Sequence, residues 1–193
     1  MSSPRRQRLI ERFDAVRPRV LSLDVFDTLL ARPFEQPTDL FAQVPGALHR
    51  AGDPAAVAAP DYLRLRVAAE ASARRSHPSG EITVEEVCAE LSRALGGAPC
   101  AEALLEAEIA TERAFIALDR DVAALITHAH ARGVPYVLVS DMYLRAEHIR
   151  SLLAAAAEGS GVDLPPPLEV VVSGGRRANK GGAMFDERGP PRR

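Results

Sequence analysis

Asp24, Ser140 and Lys180 are the residues whose chemical types and order along this 193-residue chain could act together on a ligand. Asp24 offers a carboxylate, Ser140 a hydroxyl and Lys180 an ammonium group, and Lys180 is the one lysine among 24 basic residues. A lysine is a compact point charge and an arginine a planar fork, so the two are not interchangeable in a tight phosphate site. The lone lysine therefore favours a site for a phosphate-like anion.

Three apolar runs, at residues 20–26, 134–139 and 168–172, predict the strands that would position these groups. Helical patterns lie between the runs, and this alternation predicts an α/β fold with right-handed crossovers and a parallel sheet. In such sheets, ligands bind at the carboxyl ends of the strands. Asp24, Ser140 and the loop that follows the third run are therefore expected to meet at one crevice.

Residues 38–118 carry helical patterns that no strand pattern interrupts. Thr83, followed three residues later by Glu86, forms a capping box that predicts a helix over residues 84–95. A second long helix is predicted over residues 101–118. Because these helices fall between the first and second predicted strands, they indicate a separate helical subdomain.

Three segments resemble the motifs of the haloacid dehalogenase (HAD) superfamily of hydrolases. LDVFDTL at residues 23–29 is similar to the first motif, VLVSDMYL at residues 137–144 to the second, and ANKGG at residues 178–182 to the lysine motif. The sequences FDTLL and SDMYL within these segments resemble those of bacterial HAD hydrolases associated with glycosyltransferases. The resemblance covers roughly residues 19–186.

The resemblance implies an α/β fold with a HAD-like Rossmannoid parallel sheet and an inserted helical cap. The core would comprise residues 19–33 and 119–186, and the cap residues 34–118. Residues 1–18 and 187–193 would be flexible ends. The last strands of the sheet are expected to be missing, so that the core is incomplete at its C-terminus.

The resemblance also implies that Asp24 is a nucleophile on phosphorus. A carboxylate in this role forms an aspartyl-phosphate and splits one hard hydrolysis into two easier steps. Mg²⁺, held by Asp24 and by the backbone carbonyl of Phe26, would neutralise charge between the nucleophile and the phosphate. The implied cofactor is therefore Mg²⁺, and the implied substrate is a small phosphorylated metabolite or sugar.

Further residues of the matching segments are implied to bind phosphate or to assist the reaction. The phosphate-binding set implied by the resemblance is Thr28, Ser140, Asp141 and Lys180. Lys180 would also offset the developing negative charge, and Asp27 is a candidate acid or base. From the residues alone, Asp27 and Asp141 could equally serve the structure of their loops.

Two departures from the motifs leave other functions open. The usual acid two residues after the nucleophile is replaced by Phe26, and the acidic fourth motif expected beyond Lys180 is missing. A truncated, catalytically dead remnant or a binding module is one alternative. A metal-free hydrolase similar to the 2-haloacid dehalogenases, which carry an aromatic residue at the Phe26 position, is another.

The composition gives no support for a nucleic-acid partner, a membrane span or a secreted protein. The formal net charge is −2, which gives no electrostatic case for nucleic acid. No apolar run approaches the ~18 residues that a membrane span needs, and the N-terminus lacks the apolar stretch of a signal peptide. Cys88 and Cys100 form no metal or disulfide pattern. We expect a cytoplasmic protein, with a glycosyltransferase as an implied partner.

Overall fold

A computed structural model of the chain describes residues 3–53 and 59–176. In chain order its elements are α1 (Pro4–Val16), β1 (Leu21–Leu23), β2 (Leu30–Ala31), a 3₁₀ helix (Pro37–Gln43), α2 (Val44–Arg50), α3 (Ala59–Arg75), α4 (Val84–Ala94), α5 (Ala101–Phe115), β3 (Ala117–Leu118), α6 (Arg120–Ala131), β4 (Tyr136–Ser140), α7 (Ala146–Ser160), β5 (Glu169–Val172) and α8 (Ser173–Arg176). The protein is a mixed α/β structure with a small parallel sheet.

The described residues divide into two compact units. The first, called the α/β unit below, contains residues 3–32, 116–140 and 149–171. The second, called the helical unit, contains residues 33–53, 59–115, 141–148 and 172–176.

The α/β sheet has three strands in the order β1-β4-β5. β1 is parallel to β4, with Leu21 opposite Tyr136 and Leu23 opposite Leu138. The apolar runs predict these strands, but β1 is shorter than the predicted run 20–26, because the chain turns after Leu23. The sequence prediction of an α/β class with a parallel sheet is therefore confirmed at this level.

A second, two-stranded sheet pairs β2 with β3 in antiparallel fashion, with Leu30 opposite Leu118. The prediction of an uninterrupted helix over residues 101–118 is wrong at its end, since α5 stops at Phe115. The reason is non-local: the backbone N–H of Asp119 donates to the carbonyl of Leu29. This bond holds the chain extended beside β2 before α6 begins.

α1 packs against α6 in the α/β unit. Phe13 is buried with Leu125 and Ala129 in a small apolar cluster, and the Ser3 hydroxyl donates to Asp121 at 2.6 Å. We expected residues 1–18 to be a flexible end, whereas residues 4–16 form a helix whose apolar face, with Phe13, packs against α6. The helical spacing of apolar residues in this stretch already indicates such a face.

In the helical unit, α4 begins as its capping box predicts. The Glu86 N–H donates to the Thr83 hydroxyl at 3.4 Å, and the Glu86 carboxylate accepts from the Thr83 N–H at 2.8 Å. The segment that follows β4 in the chain is held at the same place, because the Val84 N–H donates to the Tyr143 carbonyl. Local and tertiary hydrogen bonds thus meet at the start of α4.

Candidate functional site

Asp24 and Ser140 lie at the same end of two neighbouring parallel strands. Leu23 is the register partner of Leu138; Asp24 follows Leu23 directly, and Ser140 ends β4 two residues beyond Leu138. Neighbouring strands are ~4.8 Å apart. Asp24 is partly exposed, whereas Ser140 is buried with 3% of its surface accessible. The α/β unit therefore brings these two predicted site residues together at the carboxyl ends of its strands.

The chain leaves β1 in a tight turn that ends at β2. The Val25 carbonyl accepts hydrogen bonds from the N–H groups of Leu29 and Leu30, both at 2.9 Å, and the Asp27 N–H donates to the Leu30 carbonyl. Val25 and Leu29 are fully buried. Because both ends of the turn are anchored in the core, the residues between them are presented in a defined conformation.

Asp27 occupies the left-handed region of backbone space, with φ of 56°. Side chains other than glycine seldom adopt this conformation, and aspartate is among those that tolerate it best. The Asp27 side chain is exposed, and the neighbouring Thr28 is partly exposed in the same turn. The turn thus places both predicted residues next to Asp24 in the chain, at its accessible side.

Phe26 is covered by a cation that sequence reasoning did not select. The guanidinium carbon of Arg32 lies 4.0 Å from the centroid of the Phe26 ring, within the distance of a cation–π contact. Phe26 also forms a bridge with Leu30, which brings the chain beyond Leu30 back beside the ring. No spacing rule signals this pair, because the contact joins two residues six positions apart on either side of the turn.

The remaining predicted residues are not part of this arrangement in the α/β unit. Asp141 is exposed and belongs to the helical unit, together with the rest of its segment up to His148. Lys180 lies outside the described residues. Asp24, Phe26, Asp27, Thr28 and Ser140 are therefore the predicted residues on which the geometry of the α/β unit bears.

The donor set at the end of β1 is of a kind that suits Mg²⁺. The Asp24 carboxylate and the Phe26 backbone carbonyl are oxygen donors, and Mg²⁺ commonly uses one or two carboxylates together with waters and substrate phosphate. Within residues 3–53 and 59–176, no group of three or more His, Cys, Asp or Glu residues could hold a metal.

A surface cavity of about 380 Å³ lies at the opposite, amino-terminal end of the strands. Its lining includes Arg17 and Pro18 before β1, and Arg132 and Val134 before β4. It contains none of the predicted site residues. We place the candidate site at the carboxyl ends of the strands because the Asp24 carboxylate and the Ser140 hydroxyl lie there.

No protein-family model and no curated protein matches this chain. The fold and the site define the class of protein. It is an α/β protein with a small parallel sheet that has polar groups at the carboxyl ends of its strands. Among the described helices, none is both long and apolar enough to cross a membrane.

Proposed function

We propose that this protein is a HAD-superfamily hydrolase, with an α/β core and a helical cap, that removes a phosphoryl group from a small phosphorylated metabolite or sugar. One observation carries the proposal: the parallel register of β1 and β4 sets the Asp24 carboxylate and the Ser140 hydroxyl at adjacent strand ends. The motif-like segments around these two residues support the same assignment.

Asp24 is the nucleophile in this proposal. One carboxylate oxygen attacks the phosphorus of the substrate, and the resulting aspartyl-phosphate is then cleaved by water. The anchored turn after β1 holds the carboxylate at a strand end, so that little of its freedom is lost when substrate binds. Asp24 is also only partly exposed, which limits competing contact with water.

Ser140 and Thr28 bind or position the phosphoryl oxygens. A hydroxyl donor aimed at developing negative charge in a poorly hydrated site is worth more than the same donor in water, and Ser140 is buried. Thr28 lies in the turn that carries the nucleophile. Lys180, assigned from its motif, would supply positive charge, and Asp141 would support the loop after β4.

Mg²⁺, when bound, would supply charge neutralisation between the carboxylate and the phosphate. The Asp24 carboxylate and the Phe26 carbonyl are the chain's own donors for it. The chain itself carries out the other parts of the proposed reaction. Asp24 forms the covalent bond and Ser140 holds a phosphoryl oxygen. The backbone hydrogen bonds of the turn from Val25 to Leu30 keep the nucleophile in place.

The test is hydrolysis of p-nitrophenyl phosphate by the full chain with and without Mg²⁺, beside Asp24→Asn. We expect metal-dependent turnover in the wild type and a loss of about 10³-fold or more in Asp24→Asn, as for removal of other nucleophiles. Asp163→Asn is the matched control, because it removes an exposed loop aspartate of the same unit. Its turnover should equal that of the wild type.

A folded wild-type protein with no turnover, or an Asp24→Asn variant as active as the wild type, would contradict the proposal. The first result would favour a binding module in which the sheet is kept without catalysis. Circular dichroism of each variant establishes that the proteins compared are folded.

One observation favours a second candidate function, a metal-free hydrolase similar to the 2-haloacid dehalogenases. Phe26 is an aromatic residue two positions after Asp24, and Arg32 over its ring adds a cation that could hold a halide or carboxylate. In this alternative Asp24 attacks carbon instead of phosphorus. Halide release from a 2-haloacid in the presence of EDTA would support it, and strict dependence on Mg²⁺ would exclude it.

A further inference from the structure

The cavity at the amino-terminal ends of the strands is a part of the α/β unit that the proposed reaction does not use. Its volume of about 380 Å³ falls in the range of small-molecule sites. The residues that line it all belong to the α/β unit, and they are Phe13, Asp14, Arg17, Pro18, Arg132 and Val134. Three of them are apolar, and two arginines against one aspartate leave an excess of positive charge. The cavity therefore combines an apolar wall with a net cation.

Asp14 is the acidic group of the cavity, and its charge is offset by groups of α6 and the residue after it. Its Oδ1 atom lies 2.9 Å from His128 Nε2 and 3.1 Å from Arg132 Nε. The hydrogen bond from His128 lowers the pKa of Asp14 below its ordinary value, and the charge of Arg132 adds to this effect. Asp14 is therefore ionised at neutral pH, and its charge is matched within the protein.

Arg132 uses two of its three guanidinium nitrogens for these contacts. Nε contacts Asp14, and Nη1 donates to Nδ1 of His128 at 3.1 Å and to the His128 carbonyl at 3.4 Å. A guanidinium only donates, so Nδ1 of His128 accepts, and Nε2 carries the ring hydrogen toward Asp14. Within the described part of the chain, the hydrogen bonds of Arg132 involve Nε and Nη1. The two N–H groups of Nη2 can therefore bind a ligand.

Arg17 lines the cavity from the residue that ends α1. Its backbone is left-handed, with φ of 50° and ψ of 57°, and its N–H donates to the Phe13 carbonyl at 2.9 Å. Glycine commonly takes this position at the end of a helix, because it has no Cβ to clash. An arginine here keeps a backbone cost that glycine would remove, and such an outlier favours a function for the side chain. The charge of Arg17 also contributes to the lowered pKa of Asp14, so the guanidinium lies near that carboxylate.

We propose that this cavity binds a small organic monocarboxylate with an apolar body. Arg17 and Nη2 of Arg132 bind the carboxylate, whose planar pair of oxygens matches the geometry of a guanidinium. The apolar body packs on the apolar lining residues, which inorganic phosphate would leave uncovered. This site is independent of the proposed reaction, since Asp24 and Ser140 lie at the carboxyl ends of the same strands.

The experiment titrates the full chain with benzoate and follows binding by ligand-detected NMR. We expect saturable binding with a Kd of about 1 mM, in keeping with a ligand of this size. Benzamide has the same shape without the charge, acetate has the charge without the apolar body, and inorganic phosphate is an anion of another shape. Each of the three should bind at least about tenfold more weakly than benzoate, because each lacks one part of the recognition.

Three variants separate recognition from folding. Arg17→Gly should weaken benzoate binding by about tenfold without lowering the melting temperature, because glycine adopts the left-handed conformation freely. Asp14→Asn should tighten binding by about threefold, since it removes a like charge and keeps an oxygen that accepts from His128. Arg12→Gln is the matched control, because it removes an exposed arginine of α1 that does not line the cavity. Its affinity for benzoate should equal that of the wild type.

The inference is overturned if the folded wild type shows no saturation with benzoate at about 10 mM, or if any of the three comparison ligands binds as tightly as benzoate. It is also overturned if Arg17→Gly binds benzoate as the wild type does, or if Asp14→Asn binds it more weakly. Equal losses in Arg17→Gly and Arg12→Gln would indicate general attraction of the anion to α1, which contradicts a site in the cavity.

Discussion

In the α/β unit, the side chains buried around the sheet are apolar, among them Val25, Leu138 and Val139. In the helical unit, the fully buried residues include Arg66, whose guanidinium makes a double hydrogen bond to Glu108 at 2.7 and 2.8 Å. Among the described residues, every buried charged side chain belongs to the helical unit, and Ser140 is the buried polar residue of the α/β unit.

The difference shows which unit has polar groups that a ligand could contact. A buried charge must be paired and hydrogen-bonded, so the buried Arg66 guanidinium and Glu108 carboxylate are committed to each other. Arg66 is also packed between the rings of Phe41 and Tyr143, at 4.3 and 4.9 Å from their centroids. The α/β unit has an apolar interior instead, and its polar groups lie at the strand ends, where a ligand can use them.

The pKa of Arg66 reflects this commitment. Burial alone would lower the pKa of the guanidinium, but the nearby Glu108 carboxylate, with a contribution from Tyr143, raises it well above the ordinary value. The guanidinium of Arg66 therefore stays charged over the whole range of pH in which the protein can be studied.

The largest effect is expected from breaking this pair. Arg66→Met leaves Glu108 buried without its partner and should lower the free energy of unfolding by about 3–5 kcal/mol. The measurement is urea unfolding of the full chain, followed by circular dichroism. Because an apolar pair of similar volume often replaces a buried ion pair without loss, Arg66→Met combined with Glu108→Leu should recover most of the stability.

Arg64→Met is the matched control on the same helix. The Arg64 side chain is 72% exposed and lies 3.7 Å from Asp61, so its loss should change the free energy of unfolding by less than about 0.5 kcal/mol. If Arg64→Met and Arg66→Met lowered the free energy of unfolding equally, the buried pair would contribute no more than a surface pair. The interior of the helical unit would then not differ from that of the α/β unit in its dependence on a buried charge.

The second effect concerns a glycine that the helical unit requires. A Cβ at Gly174 would lie 2.3 Å from the Ile82 carbonyl oxygen and 3.0 Å from the Met142 carbonyl oxygen. Both neighbours are backbone atoms, so Gly174→Ala should cost about 2–3 kcal/mol through backbone shifts. Thermal unfolding of the full chain measures the loss.

Gly159, in α7 of the α/β unit, is the control with the opposite sign. A Cβ there would meet nothing within 4 Å, so Gly159→Ala should raise stability by about 0.5–1 kcal/mol, the difference in helix propensity. If Gly174→Ala were as stable as Gly159→Ala, the close backbone approach at Gly174 would not be needed for folding.

The third effect tests the charges at the edge of the α/β unit. Asp119 caps α6, accepting from the N–H groups of Asp121 and Val122 at 2.9 Å, and its carboxylate also accepts from Arg5. Partial burial would raise the pKa of Asp119, but the hydrogen bonds from Val122 and Arg5 lower it below the ordinary value. Asp119→Ala should therefore cost about 1–2 kcal/mol at pH 7.

The pH dependence of this cost has a definite sign. Because the pKa of Asp119 is lower in the folded than in the unfolded chain, the carboxylate stabilises the fold above the unfolded pKa of about 3.9, and that stability is lost as pH falls through the folded pKa. Asp119→Asn keeps a capping side chain and removes the charge. Its deficit in urea unfolding, present at pH 7, should shrink toward pH 3; a constant deficit would exclude a contribution from the charge.

The smallest effect compares two buried tyrosines, one from each unit. Tyr136 in β4 donates to the Pro165 carbonyl at 2.7 Å, and burial raises its pKa to about 12. Tyr62 in α3 is fully buried, and its hydroxyl has no hydrogen-bond partner among the described residues. Tyr136→Phe should lose about 1 kcal/mol of stability, whereas Tyr62→Phe should lose nothing or gain slightly.

Urea unfolding of both variants measures this difference in stability, and each variant removes one tyrosine hydroxyl. If Tyr62→Phe were the more destabilising substitution, the Tyr62 hydroxyl would have a partner in solution, and the polar interior of the helical unit would be fully satisfied. Equal effects would mean that the hydrogen bond from Tyr136 to Pro165 contributes little.

Local signals account for the parts of the fold that the sequence predicts. Thr83 and Glu86 are three residues apart, so their reciprocal hydrogen bonds depend on the chain between them, and α4 begins at the predicted residue. The apolar runs around residues 20–26, 134–139 and 168–172 predict β1, β4 and β5, since a buried strand needs an apolar sequence whatever its neighbours. The positions of Asp24 and Ser140 at strand ends follow from these runs.

Other features depend on partners far along the chain. The pairing of β2 with β3 joins residues near 30 and 118, and two-residue strands carry too little pattern to be predicted. Arg66 and Glu108 are 42 residues apart, and an arginine on a helix is ordinarily a surface residue. Their burial was therefore not predictable from either helix alone.

By itself, the sequence of this protein determined an α/β fold with a small parallel sheet and the helix starts that capping residues mark. Only the tertiary structure decided that β1 stops at Leu23, that Asp27 takes a left-handed conformation, and that Arg32 lies on Phe26. The physical reason is range: caps and apolar runs act over a few residues, whereas the chain that leaves the turn after Asp24 is held by β3, which pairs with β2 from far along the chain.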